Sequence, residues 1–312
     1  MRILVYEHVT GGGGVQAPLS ASLAAEGDAM LRALSDDLAR LPEHDIRVTR
    51  DDRLPALNPA IAELRVRRAD EFEQVWAREI AAADAVWPIA PETDGALASV
   101  TEAIQHAGRV LLNSRLGAVR IAASKHATAS RLWAAGIPVV PTRWLAEAAT
   151  DWTGPVVVKP DDGAGCEGIR LFSDLATARV WGSRAGRGWV VQPFITGVDA
   201  SLSVLCGEVG TTLLSVNRQI VAREGDRLRL LRCEPAAFRD RDGALRDLAE
   251  QVVAAVPGCR GYLGIDILLT ADGPRVVEVN PRVTSAYVGL SAALGFNVAG
   301  AVLAAVTAPD CA

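Results

Sequence analysis

Hydrophobic positions in the first hundred residues switch between two periods. Ile3 to Tyr6 is a short apolar run, followed by a glycine-rich turn, Gly11 to Gly14. From Ala17 to Leu41 the residues Leu19, Leu23, Met30, Leu31, Leu34 and Leu38 recur near helical spacing, which predicts a helix. Ile46 to Val48 reads as a strand, Asp70 to Ala83 as a helix and Ala85 to Ile89 as a strand. A helix near Ala96 to Ala107 leads into a strand over Val110 to Leu112. Strands alternating with helices predict a parallel sheet with crossover helices.

From about Leu116 the pattern changes. Ser124 to Ala135 reads as a helix closed by Gly136, with Pro138 just beyond. Short strands are predicted over Val139 to Thr142, Val156 to Lys159, Ile169 to Phe172 and Trp189 to Phe194, with a small helix around Leu175 to Trp181. Further strands follow over Ser201 to Leu205, Thr212 to Val221 and Leu228 to Leu231, then a helix over Leu245 to Val256. Two strands, Tyr262 to Leu269 and Arg275 to Asn280, precede a helical tail from about Ser285. The fold class is therefore α/β followed by α+β.

That last strand pair carries the clearest chemistry. Asp266 alternates with Leu263, Ile265, Ile267 and Leu269, and Glu278 and Asn280 alternate with Val277 and Val279. A loop over residues 270 to 274 places Asp266 directly across from Glu278, with Cβ atoms roughly 4.5–5.5 Å apart. A loop of even length would send the two to opposite faces. Opposed carboxylates repel, and a hard divalent cation converts the repulsion into a site, with Asn280 adding a neutral oxygen on the same face. An exposed polar face with an accidental carboxylate pair is the alternative.

Composition narrows the class of activity. The chain has 312 residues, half of them hydrophobic, with 22% charged and a formal net charge of -5. The densest basic stretch, Arg65 to Arg68, is short and reads as a solvated face, which disfavours nucleic acid as a partner. Cys166, Cys206, Cys233, Cys259 and Cys311 are widely spread with no CxxC pair, a pattern of reduced thiols in a cytoplasmic protein. No secretory signal and no apolar run of membrane-spanning length are read.

Arginine is used almost everywhere, so the two lysines, Lys125 and Lys159, draw attention. Lys159 ends the run Val156-Val157-Val158 and is followed by Pro160 and a loop containing Gly163, Gly165 and Gly168. An ammonium at a strand end beside flexible glycines suits a phosphate; a hairpin with a solvated lysine is the plainer reading. No GxxxxGK[ST] occurs, and Gln16 breaks a GxGxxG reading of the first glycine run.

In their order along the chain, these pieces resemble the ATP-grasp superfamily over roughly residues 114 to 290. The resemblance implies an ATP-grasp fold behind an N-terminal Rossmann-like pre-ATP-grasp domain. Its divisions would be 1–113, a lid subdomain with linking helix over 114–195, and a large subdomain over 196–312. Lys125 and Lys159 resemble the two ATP lysines, and Gly163, Gly165 and Gly168 lie in the lid. Gln192-Pro193-Phe194-Ile195 looks like the adenine hinge, and Asp199 like the ribose-binding acid. Gln192 stands where the family usually has Glu, and Asp199 is shorter than the usual Glu. Asp266, Glu278 and Asn280 fall on the metal ligands, for Mg2+ or Mn2+ and two ions. Arg282 would steady a phosphate or acyl phosphate. Cys166 is unusual in such a lid and reads as a packing residue.

The implied chemistry joins a small-molecule carboxylate to an amine through an acyl phosphate, releasing ADP and phosphate. The opening Leu4-Val5-Tyr6-Glu7-His8-Val9-Thr10-Gly11-Gly12-Gly13 resembles the tyramine–glutamate ligase group of methanofuran-type cofactor synthesis, which implies glutamate with tyramine or tyrosine as substrates. Glu7 and His8 lie at the carboxyl end of the first strand, where open α/β sheets bind ligands. Arg218, beside Asn217, is a candidate for a substrate carboxylate or a surface arginine. A homodimer is compatible with this group. A carboxylase or phosphotransferase of the same superfamily, and a regulatory protein without turnover, remain open.

Overall fold

A computed structural model describes residues 1–15, 18–148, 152–163, 165–208 and 210–307. The amino-terminal part runs β1 (Arg2–Glu7), α1 (Ala21–Leu38), β2 (Asp45–Asp51), β3 (Ala62–Val66), α2 (Ala69–Ala82), β4 (Ala85–Ile89), α3 (Ala96–His106) and β5 (Val110–Leu111). Its strands form a parallel sheet in the order β3-β2-β1-β4-β5. β1 and β4 are central and covered on both faces, so they read as unbroken apolar runs. β3 is absent from the sequence reading because Glu63 and Arg65 interrupt its apolar pattern. It is the edge strand, where charge prevents pairing with other chains. The basic stretch beginning there is internally neutralised: Arg65 pairs with Glu63, Arg67 with Asp52 and Arg68 with Asp70.

The helix predicted over 17–41 spans Ala21–Leu38, and Ala17 lies outside the described residues. Two short helices follow, α4 (Leu116–Ala122), which the sequence reading missed, and α5 (Lys125–Ala134). The Ser124 hydroxyl caps α5 by accepting the Ala127 N–H at 3.0 Å, and Gly136 ends it at φ 75°. Then come β6 (Arg143–Trp144), β7 (Val156–Pro160), β8 (Arg170–Phe172), α6 (Leu175–Ala185) and β9 (Trp189–Pro193). The strand predicted over Val139 to Thr142 is reduced to a single bridge, Val139 to Val276. Pro138 and Pro141 flank the pairing residues and lack the N–H a longer ladder needs.

The remainder comprises β10 (Val198–Gly207), β11 (Gly210–Glu224), β12 (Arg227–Phe238), α7 (Ala244–Ala255), β13 (Gly261–Thr270), β14 (Gly273–Asn280), α8 (Leu290–Leu294) and α9 (Val298–Thr307). All strands from β6 onward join one sheet, β14-β13-β10-β11-β12-β8-β7-β9-β6. The join between its halves is narrow, since β12 meets β8 through Arg227 and Arg170. Each half has its own core. Val156, Val158, Leu175 and Val191 pack at the β7 end, and Leu202, Leu263, Ile265 and Val252 at the β13 end. α4 and α5 contribute Ala118, Ala122 and Leu132 to the latter core. The carboxyl-terminal α9 returns to pack with α1, where buried Asp37 accepts the Tyr287 hydroxyl at 2.9 Å and the Ser291 hydroxyl.

The β13–β14 hairpin differs from expectation in one instructive way. Its turn is Ala271-Asp272, with Thr270 opposite Gly273, so the five-residue loop predicted over 270–274 is wrong and the real loop is even. Asp266 nevertheless faces Glu278, because a β-bulge at Val277 absorbs one residue between Glu278 and Val276. The bulge restores the register that the short turn shifts.

Candidate active site

The face of the sheet bearing Asp266 is built by simple alternation. Ser201 on β10 lies opposite both Asp266 on β13 and Asn217 on β11. Gln219, two residues beyond Asn217, donates its amide N–H to Asp266 Oδ1 at 2.9 Å. Asn280 donates to Asp266 Oδ2 at 3.3 Å, which leaves its amide oxygen available. Period-2 alternation therefore selects Asn217 and Gln219, and it turns Arg218 to the opposite face. Arg218 is exposed there, opposite Ala200 and Glu234, and takes no part in the cleft. Gln219 was legible from the same rule that excludes Arg218.

Lys125, at the start of α5, reaches Glu278 Oε2 at 3.5 Å and donates to the Gly163 carbonyl. Lys159, next to last in β7, is buried beside the same carboxylates, and burial holds its ammonium below its ordinary value against the opposing pull of Glu278. The carboxylate pair behaves asymmetrically. Burial and the Glu278 charge push Asp266 up to about 8. Burial would raise Glu278 as well, but Lys125 and Lys159 outweigh it and hold that carboxyl below its usual range. Two half-buried carboxylates within hydrogen-bonding reach thus share too little positive charge to ionise together. With the Asn280 oxygen they form a hard-oxygen donor set with room for a cation, which fits Mg2+.

The glycine loop hangs between the two halves. Gly165 and Gly168 have φ of 63° and 74°, and a Cβ on Gly168 would meet Pro160 at 2.9 Å, so both positions demand glycine. Ala164 lies outside the described residues. Cys166, at φ 62°, faces the cleft from this loop, and burial pushes its thiol up to about 11, which disfavours the thiolate. The loop is held from outside as well. Thr93 donates to the Asp162 carbonyl at 3.1 Å, and the Asp94 N–H donates to the Asp162 carboxylate at 3.1 Å.

Gln192, Pro193, Phe194, Ile195 and Asp199 line the far end of the cleft. Gln192 is buried and donates to the Thr142 hydroxyl at 2.8 Å, so this side chain is spent on the protein. The Phe194 N–H donates to the Pro155 carbonyl at 2.9 Å, whereas the Ile195 N–H makes no bond among the described residues. Asp199 stands exposed at the mouth.

Arg282 lines the cleft but is already engaged. Its Nε and one terminal nitrogen donate to the Glu92 carboxylate at 3.0 and 2.8 Å, and both residues are buried. Glu92, from the loop after β4, escaped the sequence reading because the contact spans 190 residues. Glu7 and His8 stay within the amino-terminal domain. Glu7 accepts the Thr10 N–H and hydroxyl, both at 2.6 Å, and burial raises its pKa. His8 bonds the Tyr6 hydroxyl, and burial lowers its pKa.

Residues 122–286 match the model of the ATP-grasp domain. The chain belongs to the ATP-grasp family. Residues 44–119 match the pre-ATP-grasp 3 domain, which accounts for the parallel sheet in front. Enzymes of this family use ATP and Mg2+. A 102-residue stretch is 29% identical to the tyramine–L-glutamate ligase of Methanocaldococcus jannaschii, covering 33% of this chain and 32% of that enzyme. An ATP-grasp superfamily protein from Archaeoglobus fulgidus superposes with a TM-score of 0.77 at 24% identity, over 97% of this chain and 87% of the other. The L-amino acid ligase of Bacillus licheniformis superposes at 0.69 and 17% identity, over 98% and 74%. No helix among the described residues is long and apolar enough to cross a membrane.

Proposed function

We propose that this ATP-grasp protein is a carboxylate–amine ligase that joins L-glutamate to tyramine or tyrosine, with ADP and phosphate as co-products. The observation that carries the catalytic half is the half-buried, opposed Asp266–Glu278 pair with Lys125 and Lys159 beside it. Mg2+ held by Asp266, Glu278 and Asn280 would supply the charge that screens the ATP phosphates from the attacking carboxylate. Lys125 and Lys159 add fixed positive charge along the phosphate chain, and phosphoryl transfer needs little else from the protein than such positioning. The glycine loop covers the phosphates and excludes the water that would hydrolyse an acyl phosphate. The Ile195 N–H, unbonded among the described residues, would read the adenine edge, and Asp199 the ribose. The substrate half is supported by the partial likeness to the tyramine–L-glutamate ligase.

The test is direct. Incubation with MgATP, L-glutamate and a panel of amines including tyramine and tyrosine should release ADP and phosphate and give an amide by mass spectrometry. Release of AMP would contradict the acyl-phosphate route. ADP release with a different acid or amine would keep the ligase and change its substrates.

A further inference from the structure

A second cavity, of about 840 Å³, opens off the nucleotide cleft toward the amino-terminal domain. Its size is that of a small-molecule site. Its walls are the first half of α1, the glycine loop and β12. Glu26, Gly165, Cys166, Glu167, Leu228 and Leu230 are among the residues it shares with the cleft, so the two spaces meet across Glu26 and the loop.

Glu26 is the anomalous residue at this junction. It is half-buried on α1, and no hydrogen bond or ion pair satisfies its carboxylate among the described residues. The cation that feels its charge is Arg282, whose fork is occupied by Glu92. Asp266 and Glu278 by contrast have Gln219, Asn280 and Lys125. Glu167, the other carboxylate at the junction, is exposed and solvated. A Cβ on Gly165 would lie 3.5 Å from Glu26 Oε2, so the carboxylate abuts the phosphate-covering loop. Leu23 and Val288 give the lining an apolar part, and of the arginines along β8 and β12 Arg170, Arg229 and Arg232 are paired with Asp226, Glu224 and Glu234, while Arg227 lines the end of the cavity where β12 begins. A half-buried, uncompensated carboxylate in such a setting favours a cationic ligand group.

We propose that this cavity is the amine-acceptor site and that Glu26 binds the acceptor's ammonium group. The ligand class is a primary amine on a largely apolar body. The assignment rests on the carboxylate–amine reading. It places the nitrogen at the cavity's opening into the cleft, beside the loop, while Leu23, Leu230 and Val288 hold the apolar remainder.

Two measurements test it. In steady-state assays with MgATP, L-glutamate and tyramine, Glu26→Gln should raise the KM for tyramine at least tenfold and leave the KM for ATP within twofold. Glu26→Asp should recover part of the loss. An unchanged tyramine KM, or an equal rise for ATP, overturns the assignment. Calorimetric titration of tyramine and of L-tyrosine, with Mg2+ and a non-hydrolysable ATP analogue present, requires no turnover. At least one should bind the unaltered protein, and at least tenfold more weakly after Glu26→Gln. Equal binding to both proteins overturns the role of Glu26. Failure of both amines to bind the unaltered protein, with ADP released for some other amine, overturns the apolar-amine site and spares the ligase.

Discussion

Single side chains in this cleft are placed by strand alternation, and their consequences separate cleanly by face. Glu278 sits against Lys125 and opposite Asp266. Glu278→Gln keeps the shape and removes a charged oxygen donor. Turnover should fall by more than about 100-fold, beyond the 10–100-fold typical of residues that merely support a metal ligand. Circular dichroism and the melting temperature should stay near those of the unaltered protein; near-normal turnover would remove Glu278 from the metal site. Arg218 makes the opposite case. It is one residue from Gln219, yet it is exposed on the other side of the sheet. Arg218→Ala should therefore leave kcat and both KM values within about twofold, the scale of a surface substitution. A large rise in the KM for glutamate would restore it as a substrate residue.

Elements add information that single positions do not carry. The hydrophobic alternation in β13 and β14 was plain in the sequence, and it brought Asp266 and Glu278 to one face. The turn and the bulge were not legible, since Thr270-Ala271-Asp272-Gly273-Pro274 accommodates either a long loop or a tight turn. Two errors of one residue cancelled. The arrangement gives a sharp test. Deleting Val277 removes the bulge but leaves Glu278 directly after Val276 and so still opposite Asp266, and turnover and Mg2+-dependent nucleotide binding should survive it. Val277→Ala preserves the count and should weaken nucleotide binding by less than about tenfold, since it trims only a few apolar atoms. Loss of binding by the deletion alone would show that the site needs the bulge itself and not only the register it sets. Similar limits explain the other differences. β3 hides behind its edge charges, and the stretch at 139–142 has strand-like alternation but prolines that cap its pairing.

At the scale of the molecule, three long-range contacts tie the amino-terminal sheet to the catalytic one. Glu92 grips Arg282, Thr93 and Asp94 hold Asp162, and Asp37 accepts Tyr287 and Ser291. None was visible in local patterns, because each joins residues more than sixty positions apart. Consecutive residues 92, 93 and 94 thus contact both the continuation of β14 and the glycine loop. The buried Asp37 contact is the one most separable from chemistry. Asp37→Ala should leave the buried Tyr287 hydroxyl and the half-buried Ser291 hydroxyl without their acceptor and cost about 2–4 kcal/mol, read as a lower melting temperature in thermal unfolding. A melting temperature within 1–2 °C of the unaltered protein, where about 2–4 °C per kcal/mol is expected for a chain of this size, would show the carboxylate to be dispensable.

The scarcity of lysine has a practical corollary. The only two lysines in the sequence, Lys125 and Lys159, both lie buried in the nucleotide cleft. Side-chain acylation by a small water-soluble ester therefore reports on one place, and the exposed α-amine of Met1 is told apart by its peptide. Peptide mass mapping of such labelling gives a footprint of loop opening in solution, and MgATP should suppress it at both positions. An ordinary reagent for amines becomes, for this chain, a site-selective gauge of whether the cleft is open.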